Sequence, residues 1–405
     1  MKTESPHGHN RYSVTGQLLL DGRLVLGALV VEGERIVEVR TGAVGELPGP
    51  RLDAEIVSPG LIDLQCNGGF GFQVGGDAEA LRGLAAHLPS TGVTTFLPTV
   101  VSGRAADYRA VAAALAAVEL GDASAPPRAQ AAGLHLEGPL LSPARAGAHD
   151  RAAIAAGDAT FDEVLGELLA SRALRLMTLA PERPGALVRL RRLVEADVVV
   201  SLGHTDATYD EMLDGTDAGA TLATHLFNAM SPFHHRAPGA VGAALIDERL
   251  TVSLIADGVH AHPAALNLVL RAKGAERIVL VTDAVAAAGA PAGTYALGGA
   301  PVISDGESAR RPDGTLAGST LTMDHAVRGM VALGGARPEE ALTMATAVPA
   351  AILAFADRGR LQVGRRADLA LWTEELKLLS TVIGGVKAFG PPARSDSLSP
   401  PRGEG

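Results

Sequence analysis

The chain has 405 residues, 47% apolar and 20% charged, which places it among globular proteins with room for one large domain and a smaller one. Its net charge is −10 and its aromatic content is 3%, so it lacks the basic footprint and stacking platforms of a nucleic-acid binder, and an anionic substrate must be held by a local site. A single cysteine, Cys66, excludes an intrachain disulfide and fits a reducing compartment.

Residues 1–11 are polar and read as a disordered start. They carry no secretory signal, and no run approaches membrane-spanning length, so the expectation is a cytoplasmic protein without a membrane partner. From Tyr12 to Val57, QLLL, RLVLGALVVEG and RIVEVR alternate Leu or β-branched residues with polar ones between Gly and Asp punctuation, as short strands do. The same texture returns in GRLQVGRRADLALW and STVIGGVKAFG near the far end. Neither set makes a good sheet alone, so residues 12–57 and 358–390 are expected to pair as one small β domain. Residues 391–405, rich in Pro, Ser and Gly, read as a disordered tail.

Residues 58–357 alternate differently. Apolar runs occur at LIDLQCN (61–67), TTFLPTV (94–100), GLHLEGP (133–139), LMTLAPE (176–182), VVVSLGH (198–204), TLATHLF (221–227), TVSLIADGVH (251–260) and RIVLVTDA (277–284). Most are separated by Ala/Leu-rich stretches with helical spacing, such as AEALRGLAAHL and FDEVLGELLAS. Eight strands alternating with helices predict a (β/α)8 barrel, and the continuous apolar runs suit strands buried on both faces. A doubly wound open sheet is the rival, but it predicts no polar residue at every strand end.

The runs finish in Gln65 and Asn67, Glu137, Glu182, His204, His225, His260 and Asp283. In a barrel all strand C-termini meet at one face, so these residues would share one cup. Glu137, His204 and His225 are a plausible metal trio, because two imidazoles and a carboxylate suit Zn²⁺ or another divalent first-row ion. Each histidine taken singly fits an ordinary hydrogen-bonding role as well. Asp283, in LVTDA, fits either a helix N-cap or a general base and acid. Gln65 and Asn67 share a face, are poor ligands for transition metals, and favour one metal over two. Cys66 faces the helices as a small buried hydrophobe.

His135 either orients Glu137 or is a satisfied interior histidine. Glu182 reads as a loop-start residue pairing with Arg183 or a helix N-terminus. Arg236, in HHRAPGAVGA, is a surface arginine or a fork for phosphate oxygens, and His149 and His260 would join it or meet a hydroxyl. DGTLAGST, at 313–320, is a turn or a polar ligand loop.

The ordered set PGLIDLQCNGGFG, GVTTFLPTV, GLHLEGPLLSPARAGAHD, LAPE, LGHTDATY, ATHLFNAMSPFHHRAPGAVGA, IADGVHAHP, LVTDA, DGTLAGSTLTMDHAV and VGRRADLALW spans roughly residues 22–385. It resembles the N-acetylglucosamine-6-phosphate deacetylase family of the amidohydrolase superfamily, most specifically in HLEGP and THLFNAM. The resemblance implies a (β/α)8 barrel with a small β-sandwich from both chain ends. It also implies hydrolysis of the acetamide of N-acetyl-D-glucosamine 6-phosphate, in amino-sugar catabolism and cell-wall sugar recycling. By position Glu137, His204 and His225 match the ligands of one divalent ion, Zn²⁺ first and Fe, Co or Mn as alternatives. Asp283 matches the catalytic carboxylate, and His260 the residue that polarises the reacting carbonyl. Asn228, Ala229 and Arg236 match groups around the sugar phosphate, with Asn228 expected to donate to it. Ala148, His149, Asp257, Leu316, Ala317 and Gly318 match further substrate contacts. Gln65 and Asn67 match a single-metal branch. The resemblance further implies a homodimer that shares part of a phosphate site. The His234–His235 pair has no counterpart. The rivals are an enzyme for the galactosamine isomer, a sister hydrolase of cyclic amides or nucleobases, and a non-catalytic sugar-phosphate-binding regulator.

Overall fold

The computed structural model describes residues 11–119 and 127–391. The stretches expected to be disordered lie outside these residues, except Arg11, which opens the first strand, and Pro391.

Seven strands from both chain ends form one mixed sheet. Its order is Val386–Phe389, Leu378–Ile383, Leu369–Trp372, Arg51–Pro59, Arg11–Leu20, Arg23–Glu32 and Arg35–Thr41. The two ends join where Arg51–Pro59 runs antiparallel to Leu369–Trp372 and parallel to Arg11–Leu20. One side buries Val14, Leu18, Leu29, Val57, Leu369 and Val382. Trp372 is fully buried at the junction with the barrel, where its indole N–H donates to Ser58 Oγ at 2.9 Å. A buried indole needs such a partner.

Pro59 runs through Gly60 into the first of eight parallel barrel strands. These are Leu61–Cys66, Val93–Val100, Leu134–Glu137, Leu174–Leu179, Val199–Leu202, Leu222–Ala223, Thr251–Leu254 and Ile278–Leu280, each beside the next. The last meets the first through Asp283 N to Gln65 O (2.9 Å) and Asn67 N to Ala284 O (2.8 Å). Closure removes the exposed edges that an open sheet would leave. The expected helical stretches are helices, at Ala78–His87 and within Arg151–Ala170.

One expectation changes in detail. The later runs are strand over fewer residues than their apolar length suggested, with only Leu222–Ala223 for the sixth and Thr251–Leu254 for the seventh. The barrel interior also holds polar groups. His135 Nε2 bonds Thr178 Oγ1 (2.8 Å), Thr178 bonds Thr224 (2.8 Å), and Thr224 bonds Ser201 (2.5 Å). Short hydroxyl side chains can be buried because each finds a partner. They form a polar floor under the strand ends.

A hairpin, Gly293–Leu297 and Ala300–Ser304, follows the eighth strand. Leu297 and Val302 pack with Val285 and Ala317, and Val101 and Ala148 lie against this cluster. The hairpin thereby walls one side of the barrel mouth, where Leu297 lines a cavity.

Candidate active site

Three of the polar strand-end residues leave their strands in the left-handed region: His204 (φ 47°), His225 (φ 28°) and Asp283 (φ 49°). A non-glycine residue held there costs about 1–3 kcal/mol and persists only where its surroundings hold it. Here the holding contacts are visible. His225 N donates to Ser253 Oγ (2.6 Å), Asp283 N donates to Gln65 O, and Asp283 O accepts from Ser319 N (2.8 Å). Gly203, just before His204, must be glycine, because a Cβ there would lie 2.7 Å from Thr224 Cβ on the polar floor. The chain turns sharply at each strand end, and the side chain is thrown inward over the barrel.

Glu137, His204 and His225 converge. Glu137 Oε1 lies 3.0 Å from His225 Nε2 and 3.3 Å from His204 Nε2, and the two ring nitrogens are 3.2 Å apart. The three residues are 3–5% exposed. His204 Nδ1 is 2.9 Å from the Arg145 carbonyl, which fixes the proton there and leaves the Nε2 lone pair facing the other two groups. Three lone-pair donors meeting at one buried point are what a divalent cation requires, so these residues fit one. It is the only such grouping of His, Cys, Asp and Glu among the described residues.

His149 stands behind this point rather than beside Arg236. Its Nδ1 accepts from Ser102 N (3.1 Å), so in the neutral ring the proton is on Nε2, 3.4 Å from Glu137 Oε2. Burial, and then the nearby His204, push His149 down to about 4, which keeps it neutral. Burial alone would raise Glu137. The imidazoles of His149, His204 and His225 packed against it outweigh that and hold the carboxyl well below the ordinary range.

Asp283 is pushed up to about 6, first by burial and then by the charge of Glu137. Gln65 and Asn67 bear on it directly. Gln65 Nε2 donates to Glu137 Oε1 (2.9 Å) and Asp283 Oδ1 (3.1 Å), and Asn67 Nδ2 donates to Asp283 Oδ1 (2.7 Å). Both amides therefore act as donors to carboxylates, and no helix begins at Asp283 for it to cap. Beneath them Asp63, fully buried, accepts from Thr282 Oγ1 at 2.5 Å and is raised to about 7 by burial.

Other expected residues divide. A cavity of about 310 Å³ is lined by Asn67, Glu137, Ala148, His149, His204, His225, Asn228, Ala229, His260, Asp283, Leu316 and Gly318. Asp257 stands behind it: its Oδ2 lies 2.6 Å from His260 Nδ1 and its Oδ1 accepts from the Val259 and His260 amides. Ala317 is buried in the hairpin cluster. Asn228 spends its amide hydrogens on the His225 and Leu226 carbonyls (3.1 and 3.3 Å), so its side chain offers an acceptor instead of the expected donor. Arg236 is exposed on its loop and lies outside the lining. The neighbouring His234 and His235 rings lie 4.2 Å apart, tilted by 41°, in a tight turn, also exposed. His135 is satisfied in the interior by Leu64 O (3.0 Å) and Thr178. Glu182 holds the loop after His204, accepting from Thr205 Oγ1 (2.5 Å) and Asp206 N (2.7 Å).

Sequence reasoning passed over Arg145, Val101, Ile255 and Leu297, which also line the cavity, while Thr315 lines it from the DGTLAGST loop. Arg145 was legible in PARAGAHD, four residues before His149. The apolar members carry no local signal. A second cavity of about 380 Å³, where the small sheet meets the barrel around Arg360, holds none of these groups.

The Amidohydrolase family profile matches residues 56–388. The chain belongs to the amidohydrolase family. This amidohydrolase is 42% identical over 320 residues to the N-acetylgalactosamine-6-phosphate deacetylase of Escherichia coli O157:H7, covering 78% of this chain and 83% of that protein. It is 34% identical over 336 residues to the N-acetylglucosamine-6-phosphate deacetylase of Bacillus subtilis (strain 168), covering 82% and 85%. Among solved structures it is similar to a variant of the N-acetyl-D-glucosamine-6-phosphate deacetylase of Mycobacterium smegmatis in complex with N-acetyl-D-glucosamine-6-phosphate. That match has a TM-score of 0.86 at 34% identity and covers 94% of this chain and 100% of the other. Amidohydrolases are generally metal-dependent, and the buried Glu137–His204–His225 group could hold an ion.

Proposed function

We propose that this amidohydrolase removes the acetyl group of N-acetyl-D-glucosamine 6-phosphate, giving D-glucosamine 6-phosphate and acetate. The observation that carries the reading is the buried Glu137–His204–His225 convergence with Asp283 in the same cavity. The names of its relatives supply the substrate class. Glu137, His204 and His225 would hold one divalent ion, with Zn²⁺ favoured by the two imidazoles and one carboxylate. When bound, such an ion supplies Lewis acidity, bringing a water pKa towards about 7 and polarising a carbonyl.

The chain's own residues do the rest. Asp283 takes a proton from the attacking water and delivers it to the nitrogen as the C–N bond breaks. Its Oδ1 is engaged by Gln65 and Asn67, while Oδ2 has no hydrogen-bond partner among the described residues and is the oxygen free to carry the proton. His260, anchored through Nδ1 by Asp257, donates from Nε2 to the developing oxyanion. Asn228 accepts from a sugar hydroxyl, and Arg145, which lines the cavity and pairs through Nε with Asp206 at 2.8 Å, offers its remaining guanidinium N–H groups to the phosphate end. Arg236, exposed outside its own cavity, would serve the site of a second copy in a homodimer. The setting is amino-sugar catabolism and cell-wall sugar recycling in the cytoplasm.

A second reading has its own support. The relative at 42% identity acts, by its name, on the galactosamine isomer. The epimers differ at one hydroxyl, which one acceptor or a water can read. Acetate release from both N-acetylhexosamine 6-phosphates, with and without chelator, tests the two together. Preference for the galactosamine substrate selects the second reading, and no chelator-sensitive release from either overturns both.

A further inference from the structure

We infer that Asn67 is a direct substrate contact whose side-chain carbonyl accepts the N–H of the scissile amide. The inference rests on the deacetylase reading above. Asn67 is 2% exposed and lines the catalytic cavity. One end of its amide is committed, because Nδ2 donates to Asp283 Oδ1 at 2.7 Å. That bond also fixes which end is which, since a carboxylate takes only a donor. The other end, Oδ1, is buried with no hydrogen-bond partner among the described residues. A buried acceptor left unpaired costs free energy, so a native site that keeps one supplies its donor from outside the chain.

At the reacting group itself the substrate brings one donor. Carboxylates, imidazole lone pairs and the substrate carbonyl all accept or bind a cation. A secondary acetamide has one donor, its N–H, and that is the atom pair that Asp283 must later serve. An Asn67 amide bonded to Asp283 at one end and to the scissile N–H at the other fixes the nitrogen against the carboxyl that protonates it. Strand geometry adds precision. Asn67 N donates to Ala284 O and Gln65 O accepts from Asp283 N, so the first and eighth strands hold the amide and the carboxylate in one register. Gln65 differs in place: its Nε2 is shared between Glu137 and Asp283, and it does not line the cavity.

The experiment separates hydrogen bonding to N–H from acid–base chemistry by switching turnover off. In metal-loaded Asp283→Asn protein, Kd is measured by calorimetry for N-acetylglucosamine 6-phosphate and for its 2-O-acetyl ester analogue, which has no N–H. Adding Asn67→Ala should weaken the amide about tenfold, the scale of one buried hydrogen bond, and leave the ester unchanged. Adding Asn67→Asp, which keeps an acceptor of the same shape, should restore the amide to within about threefold. Bound metal per chain, measured in the same samples, should be equal in all three. Equal loss for amide and ester, no loss for either, or failure of Asn67→Asp to restore binding overturns the assignment. Absence of acetate release by the unaltered chain overturns the functional reading instead, and is measured first.

Discussion

His149 Nε2 lies 3.4 Å from Glu137 Oε2, the carboxylate oxygen opposite the one that faces His204 and His225. The sequence separates the two residues by a loop, and nothing local joins them. The contact orients the Glu137 carboxylate while leaving Oε1 to the metal point. Groups that orient a ligand in this way typically govern affinity by about 10–100-fold. His149→Ala should therefore weaken metal binding by about that factor, measured by competition with a chromogenic chelator. An unchanged metal affinity with a raised KM would make His149 a substrate contact only.

Asp283→Asn should retain metal and substrate but lose at least about 100-fold in kcat, the low end for general acid–base catalysis. Stopped assays of acetate release at saturating substrate give the number directly. Near-normal turnover removes Asp283 from the mechanism.

The same residue sets a pH limb. Burial and Glu137 raise Asp283 to about 6 without a cation, and a nearby cation lowers that value. The base must be ionised to act, so activity falls as pH drops through the pKa. The acid limb of kcat/KM should lie at or below about 6, and a limb above neutrality would assign it to another group.

Asp63 gives a stability signature of opposite sense. Its carboxyl is raised to about 7 from an ordinary 3.8, so the fold prefers the protonated form. Its contribution is intact below the ordinary value and is lost as pH rises towards and through 7, by at most about 1.4 kcal/mol per pH unit. Asp63→Asn should flatten that slope in denaturant titrations of the metal-free protein between pH 4 and about 7.5. An unaltered slope would show that other groups carry it.

Arg145 and Arg236 can be told apart. Arg145→Ala should raise KM for the 6-phosphate far more than for free N-acetylglucosamine. Arg236→Ala should do the same only in an assembled dimer. Mixing Arg236→Ala chains with Asp283→Asn chains should then recover activity, because the second supplies Arg236 to an intact first site. No recovery on mixing excludes supply across the interface.

Much of this was legible in the chain itself. The count of eight apolar runs, the polar residue closing most of them, and the spacing of Glu137, His204, His225 and Asp283 gave the barrel and the catalytic rim. Those features are legible because strand burial and strand-end chemistry are local, and parallel connectivity brings every C-terminal end to one face. The fates of Asn228, Arg236, His149, Glu182 and His135 were not legible. Each depends on left-handed turns at the strand ends, on the loops that follow them and on closure of the first strand against the eighth. The sequence determined which residues reach the rim. Only the tertiary structure decided which atom of each meets which partner, because a hydrogen bond is settled over tenths of an ångström between strands as much as 218 positions apart, as Gln65 and Asp283 are.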